Sequence, residues 1–290
     1  MGAIASPQLS LAQVLIATDL SDASTNAMHY AKALAKRYAS HIVLVHVCQP
    51  DNPSPILEGG WTGDYFERKA EEHLEILGAK LRSEGLSAVS ICAYGPVEPE
   101  ILSLARVHHA DLVVQGTHGR NGLARLLFGS KAEALTRHSD RPVLTVGPTA
   151  VPCARGAWNP KEILCATSLE VHSAEAAAYA YRLAKDNGAA FTLFYVEDPS
   201  HCPGPEVWRA FEDAFDQALP NGETRRTPIQ KFFSSEDPAK SIVEAATERQ
   251  ADLIVLGAKH AMLGSTHFRQ GVLPHVFVGA PCPVLAVPSH

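Results

Sequence analysis

The sequence has no long apolar segment and no concentration of positive charge. None of the apolar runs in its 290 residues approaches the roughly 18 residues that a membrane-spanning helix needs. Lys and Arg number 25 against 31 Asp and Glu, a net charge of −6 without a basic cluster. That balance disfavours broad binding to nucleic-acid phosphates. We therefore expect a protein that binds neither membranes nor nucleic acids.

Paired-cysteine and zinc-type motifs are also missing. The six cysteines are scattered without a C-x-x-C pair, which argues against a disulfide scaffold. The 14 histidines show no standard zinc spacing. The first residues, MGAIASPQLSLAQ, carry no Lys or Arg before their apolar positions, so they make a poor secretory leader. We expect a cytoplasmic protein without a metal site.

The sequence lacks three common enzyme motifs. There is no G-x-x-x-x-G-K-[ST] P-loop, and no G-x-G-x-x-G follows the first predicted strand, which disfavours a Walker-type NTPase and an NAD enzyme. The G-x-S-x-G elbow of hydrolases is absent too. No strong general base stands next to a nucleophile in the pattern. If ATP binds, slow hydrolysis or self-phosphorylation is the most that we expect.

What the sequence does contain is an internal repeat. VLIATD at 14–19 matches ILCATS at 163–168, an offset of 149 residues, and ADLVVQGTHG at 110–119 matches ADLIVLGAKH at 251–260, an offset of 141. The second offset also aligns RPVLTV with CPVLAV near the end of each copy. Repeats of this length indicate duplicated domains. We predict two domains, 1–150 and 151–290, joined by the Pro- and Gly-rich stretch 147–160.

Each copy alternates short buried strands with amphipathic helices. In the first copy the predicted strands are 14–18, 42–47, 89–94, 112–115 and 143–146. Asp22 or Ser24 is a candidate cap for the first helix. This order predicts an α/β fold of two flavodoxin- or Rossmann-like doubly wound domains, each with a five-stranded parallel sheet. Ligands of such sheets bind beyond the carboxyl ends of the strands.

A glycine-rich stretch follows the fourth predicted strand. Gly116 and Gly119 allow tight turns and close approach of the backbone to a ligand. Gly129 and Ser130 begin the next predicted helix, whose free amides and dipole favour an anion. A single glycine serves a turn as readily as a ligand. Together these positions suit a phosphate chain held by main-chain amides.

The full spacing is Gly, two residues, Gly, nine residues, Gly-Ser, and it resembles the nucleotide-binding signature of the universal stress protein family. The resemblance extends to TDLS at 18–21, VLVHV at 43–47, ADLVV at 110–114 and RPVLTV at 141–146. It covers nearly all of both halves, so the chain resembles a tandem universal stress protein. The family implies a sensor or regulator in the stress response.

The resemblance also implies a ligand, ATP or a related adenine nucleotide, with Mg²⁺ as an optional companion. It assigns the ribose to Asp19, the base or sugar to Ile42, and the adenine site to Gln115. The phosphates are assigned to the amides of Gly116, Gly119, Gly129 and Ser130, with Lys131 just after them. From the residues alone, His118 and Arg120 either add positive charge near the phosphates or are solvated loop side chains. From the residues alone, Asp19 could instead only cap the first helix.

The second copy departs from this motif. Of the motif glycines, only Gly116 is matched by a glycine in the second copy, Gly257. The residues aligned with Asp19, Gly119, Gly129 and Ser130 are, in that order, Ser168, His260, Gln270 and Gly271. We predict that the first half binds nucleotide and that the second half does not. The resemblance implies that the last strand of each half pairs the two into an internal pseudo-dimer, and two chains could associate as a homodimer. Two alternatives stay open: an interaction module without nucleotide, and a slow ATPase.

Overall fold

The computed structural model describes residues 9–49, 63–117, 129–153, 157–171, 173–197, 203–219, 230–233, 237–259 and 272–289. Strands and helices alternate along both halves. The first half contains β1 (Gln13–Ala17), α1 (Asp22–Tyr38), β2 (His41–Cys48), α2 (Gly63–Ser83), β3 (Ser87–Tyr94), α3 (Val97–Val107), β4 (Leu112–Gly116), α4 (Ser130–His138) and β5 (Val143–Val146). The five strands predicted for this half are therefore all present.

The second half repeats the same order of elements. It contains β6 (Glu162–Thr167), α5 (Ser173–Asn187), β7 (Ala190–Glu197), α6 (Pro205–Ala218), β8 (Gln230–Phe233), α7 (Pro238–Glu248), β9 (Leu253–Lys259), α8 (Val272–Gly279) and β10 (Val284–Ser289). Among the described residues, no helix is long and apolar enough to cross a membrane.

The strands form one sheet in the order β3-β2-β1-β4-β5-β10-β9-β6-β7-β8. Neighbouring strands within each half are parallel, as the α/β prediction requires. Each half has the strand order 3-2-1-4-5, which is the Rossmann order and differs from the flavodoxin order. The strand order reverses between β1 and β4, so the crevice beyond their carboxyl ends is the expected ligand position.

The two halves meet where β5 pairs antiparallel with β10. Leu144 lies opposite Leu285, and Thr145 lies opposite Val284. Leu144 and Leu285 are equivalent positions of the two copies at the 141-residue offset. A residue that faces its own equivalent marks a two-fold relationship, the arrangement that an isologous dimer interface has.

Apolar side chains cover both faces of the sheet, which explains the nearly continuous hydrophobic runs of the strands. On the face that carries α1 and α5, one core runs through both halves and includes Leu34, Leu112, Leu183 and Leu253. On the opposite face each half has a core of its own. The shared core ties the two copies together beyond the β5–β10 pair.

The linker packs against the first helix. The Tyr30 hydroxyl donates to the Val151 carbonyl at 2.7 Å, and its ring lies edge-on to Trp158, with centroids 5.3 Å apart. The Cys153 amide donates to Asn26 Oδ1 at 3.1 Å. These contacts fix the described part of the connection onto α1.

Candidate functional site

The turn after β1 carries Asp19 at the reversal point of the sheet. Asp19 Oδ1 accepts hydrogen bonds from the Ser21 amide at 3.1 Å and the Ser21 hydroxyl at 2.6 Å. The His46 ring Nδ1 donates to the Thr18 carbonyl at 2.9 Å, because a carbonyl can only accept. Strand β2 therefore holds the turn from one side, and the carboxylate is oriented by its own loop.

A chain of hydrogen bonds shapes this turn. The Leu20 amide donates to Thr18 Oγ1 at 3.1 Å, Thr18 donates to Ser24 Oγ at 2.9 Å, and Ser24 donates to the Ser21 carbonyl at 2.8 Å. The helix begins after Ser21, with no side-chain cap. Neither Asp22 nor Ser24 is thus the N-cap residue: the Ser24 hydroxyl is used inside the turn.

The second copy reproduces this turn. Its hydrogen-bond chain has the same partners at the 149-residue offset, through Thr167, Leu169, Glu170 and Ser173. Leu20 and Leu169 both adopt left-handed backbone, with φ of 62° and 60°, which a bulky side chain rarely does. The geometry of the turn is therefore a property of the repeated unit, and the residue at its tip is what differs.

The start of α4 closes the other side of the crevice. The Gly129 amide donates to the Thr117 carbonyl at 3.0 Å, and a Cβ on Gly129 would lie only 2.8 Å from that oxygen. No side chain caps α4, which begins at Ser130. The first amides of a helix have no acceptor within the helix, so this end attracts an anion.

A positive charge lies beside the same edge. The exposed Lys131 side chain donates to Gln49 Oε1, just beyond the end of β2. Gly116 is the last residue of β4 and pairs with Val146. Gly119 and Arg120, two further predicted phosphate contacts, lie outside the described residues. Asp19, Gly116, Gly129, Ser130 and Lys131 all belong to the carboxyl edge of the sheet.

Gln115 has a different environment from the predicted adenine contact. It is buried, and its Nε2 lies 3.0 Å from the Ala132 carbonyl, 2.9 Å from Thr136 Oγ1 and 3.1 Å from Thr145 Oγ1. The amide group joins β4 to α4 and β5. Gln115 is therefore a positioning residue for the first turn of α4.

This polar cluster is specific to the first copy, and our sequence analysis missed it. At the 141-residue offset its side chains are replaced by apolar ones, all of which are buried: Leu256, Phe277 and Ala286. The alignment of the two copies could have revealed the cluster, because three polar residues of the first copy align with apolar residues of the second. The copy that retains the glycine motif is also the copy that braces α4 with hydrogen bonds.

Ile42 is not brought to this edge. It lies opposite Val14, near the start of β2, and is fully buried in the core beneath α1. It is six positions from Cys48 at the end of the strand, which at about 3.3 Å per residue is about 20 Å. We therefore leave Ile42 out of the site that we propose.

The second copy places other groups at the same points. Ser168 stands where the first copy has Asp19, and Glu170 stands where it has Ser21, so acid and hydroxyl are exchanged. A Cβ on Gly257 would find its nearest atom at 3.6 Å, an ordinary contact, so this position does not demand glycine. His260, Gln270 and Gly271 lie outside the described residues.

Three features of the described residues fit a nucleoside phosphate. Asp19 supplies an oriented acceptor for sugar hydroxyls, the start of α4 supplies amides, and Lys131 supplies a cation. Within the part of the chain that the structure describes, no three His, Cys, Asp or Glu side chains are grouped as metal ligands. A Mg²⁺ ion here would be held largely by the phosphates, as is usual for this ion.

Comparison with known proteins agrees with the fold and the repeat. A universal stress protein of Methanocaldococcus jannaschii is 32% identical over 147 residues, covering 46% of this chain and 81% of its own. Another, from Bacillus subtilis, is 28% identical over 147 residues, covering 46% of this chain and 97% of its own. A solved universal stress protein from Archaeoglobus fulgidus has the same fold over 97% of both chains, with a TM-score of 0.72 at 20% identity.

The family assignment follows from a match that occurs twice. The model of the universal stress protein family matches residues 11–147 and again residues 160–288. The gap between the two matches falls within the predicted linker, and each match spans five strands of the sheet. This chain therefore belongs to the universal stress protein family and contains two of its domains in tandem.

Proposed function

We propose that the first half binds ATP or a related adenine nucleotide in the crevice between β1 and β4, and that the protein acts as a sensor or regulator in the stress response. The observation that carries this proposal is the pairing of an oriented carboxylate with an uncapped helix start across the reversal point. A carboxylate is a good acceptor for ribose hydroxyls, and a helix start is a good site for phosphate.

The roles of the residues follow from their positions. Asp19 accepts from the ribose. The amides of Ser130, Gly116 and Gly119 hold the phosphates, while Lys131 and Arg120 balance their charge. The Gly129 amide is used by the Thr117 carbonyl, so Gly129 contributes by leaving the start of α4 without a side chain. Mg²⁺ would accompany the phosphates. Gln115 acts through α4, by holding its first turn against β4 and β5.

In this proposal the second half pairs with the first half and does not bind a nucleotide itself. Its turn lacks the acid at position 168, and its α8 begins after Gln270 and Gly271, which replace Gly129 and Ser130. We propose that the units are 1–150 and 151–290, and that the β5–β10 pair joins them as an internal pseudo-dimer. One nucleotide per chain follows from this arrangement.

Titration of the purified chain with ATP, followed by calorimetry, tests the proposal. We expect one site per chain. Asp19→Asn keeps an oxygen to accept from Ser21 but removes the charge, and a hydrogen bond to a charged group contributes about 1.5–3 kcal/mol, so affinity should fall at least tenfold. Ser168→Asn is the matched change in the second copy and should leave affinity unchanged. Two equal sites, or no binding of ATP, ADP or AMP, would overturn the proposal.

The choice of variant at the helix start matters. Gly129→Gln copies the second half, but its Cβ would meet the Thr117 carbonyl at 2.8 Å, so lost binding would not distinguish a ligand contact from a displaced α4. Ser130→Ala removes only a hydroxyl. We expect it to weaken ATP while leaving the binding of adenosine, which has no phosphate, unchanged.

A further inference from the structure

Two cysteines face each other across neighbouring strands of the first half. Cys48 is the last residue of β2, and Cys92 lies in β3. The register sets Cys48 opposite Tyr94 and Cys92 opposite His46, so the cysteines are diagonal neighbours on one face of the sheet. Their Sγ atoms are 3.6 Å apart, and both residues are half-buried thiols.

We propose that Cys48 and Cys92 form an oxidisable dithiol, which a peroxide converts into a disulfide between β2 and β3. The Cys48 thiolate attacks a peroxide oxygen and becomes a sulfenic acid, with hydroxide as the leaving group when the oxidant is hydrogen peroxide. The Cys92 thiol then displaces the sulfenic oxygen as water, forming the S–S bond. Overall, two thiols and one hydrogen peroxide give one disulfide and two waters.

The surroundings of the two thiols set the order of these steps. Burial and the hydrogen bond with Cys48 raise the pKa of Cys92 to about 12, so Cys92 is protonated at neutral pH. Because the thiolate is the nucleophile, Cys48 reacts with the peroxide first and Cys92 resolves the intermediate.

Disulfide formation changes the carboxyl edge of the sheet. Bond formation shortens the Sγ–Sγ distance from 3.6 Å to about 2.05 Å, through rotation of the two side chains or movement of the strand ends. The Cys48 carbonyl already accepts from the Gly95 amide at 3.0 Å, so the strand ends are tied in the reduced form. Gln49, the next residue, contacts Lys131, so the disulfide would form one residue away from a contact of the proposed nucleotide site.

The dithiol belongs to the first copy alone. At the same register positions the second copy carries Glu197 opposite Phe233, and Lys231 is the counterpart of Cys92. Cys153, Cys165 and Cys282 are buried elsewhere in the fold, and burial raises the pKa of the Cys165 and Cys282 thiols to about 12. Oxidation should thus be selective for the pair beside the proposed nucleotide site.

Peptide mapping of the folded chain tests this inference. The reduced protein is treated with hydrogen peroxide, quenched, alkylated with N-ethylmaleimide and digested with trypsin without reductant. The cysteines fall on tryptic peptides 38–68 and 83–106, so we expect one linked species, lighter than the sum of its parts by two hydrogens and split by dithiothreitol. Recovery of both peptides in alkylated form would refute the proposal.

Serine variants distinguish the disulfide between Cys48 and Cys92 from adventitious disulfides. Cys48→Ser and Cys92→Ser should each abolish the linked species. Cys202→Ser, at a position outside the described residues, should leave it unchanged. A link from Cys48 or Cys92 to any other cysteine as the main product would overturn the assignment. The result on the unmodified chain decides the question even if a serine variant folds poorly, and it does not depend on whether nucleotide binds.

Discussion

Leu144 of β5 and Leu285 of β10 lie directly opposite one another, although they are 141 positions apart in the chain. They are the same position of the repeated unit. The neighbouring pairs follow the same symmetry: Thr145 faces Val284, and Val143 faces Ala286. The tandem chain therefore contains, within one polypeptide, the self-complementary contact that two separate copies of a domain would need in order to dimerise.

The close approach of the two halves beside the β5–β10 pair predicts the effect of Gly147→Ala. A Cβ at Gly147 would overlap the Phe277 carbonyl of α8, and backbone cannot rotate aside as a side chain can. Overpacking of this kind costs about 1–3 kcal/mol, so thermal unfolding should occur at a lower temperature. Gly257→Ala is the control, since its Cβ finds its nearest atom at 3.6 Å. Equal melting temperatures for both variants would contradict the contact.

The polar cluster around Gln115 predicts a non-additive pair of substitutions. Gln115→Leu removes the amide that reaches Thr145 Oγ1 and leaves a buried hydroxyl without that donor, at a cost of about 1–3 kcal/mol. Adding Thr145→Ala removes the orphaned hydroxyl as well, and the second copy has this apolar pair as Leu256 and Ala286. Denaturant unfolding of both single variants and the double variant measures the coupling. Additive losses would mean that the two side chains do not interact.

An ion pair between α1 and the end of α2 predicts a pH dependence. Lys32 is buried and pairs with Glu84, and the hydrogen bond from Lys32 holds the pKa of Glu84 below its usual 4.5. A lowered acid pKa stabilises the fold at pH above 4.5, and this stability is lost as pH falls through the lower, folded value.

Glu84→Gln tests that dependence. The variant should lose stability at neutral pH, because it leaves a buried ammonium without its carboxylate. Its stability should also fall less steeply than that of the unmodified chain as the pH is lowered below 4.5. The exposed pair of Lys69 and Glu72 provides a matched control, and Glu72→Gln should change little. If the stability of Glu84→Gln falls with pH as steeply as that of the unmodified chain, the pair of Lys32 and Glu84 is not the source of the pH dependence.

The exchange of acid and hydroxyl between the copies predicts the result of a graft. Ser168→Asp gives the second copy the acid of Asp19, but α8 still follows Gln270 and Gly271. We therefore expect ATP stoichiometry to stay at one per chain, measured by equilibrium dialysis. A second site of comparable affinity in this single variant would show that the helix start contributes less than we propose.

The strands were predictable from the sequence because parallel strands covered on both faces read as short apolar runs. The repeat was predictable because the first turn and the later strands keep their pattern in both copies. The position of Ile42 was not, since a family pattern says which strand is near a ligand and not which end of it. The role of Gln115 was not either, because its partners Thr136 and Thr145 lie 21 and 30 residues away in sequence.

Because the two domains lie in one chain, a mutation at the β5–β10 contact changes only one side of that contact. In a dimer of identical chains, one codon alters both sides of the contact at once. Here Thr145 and Val284 are encoded separately, so each side can vary while the other is preserved. One half can therefore keep the residues of the proposed nucleotide site while the other half carries different residues at the equivalent positions.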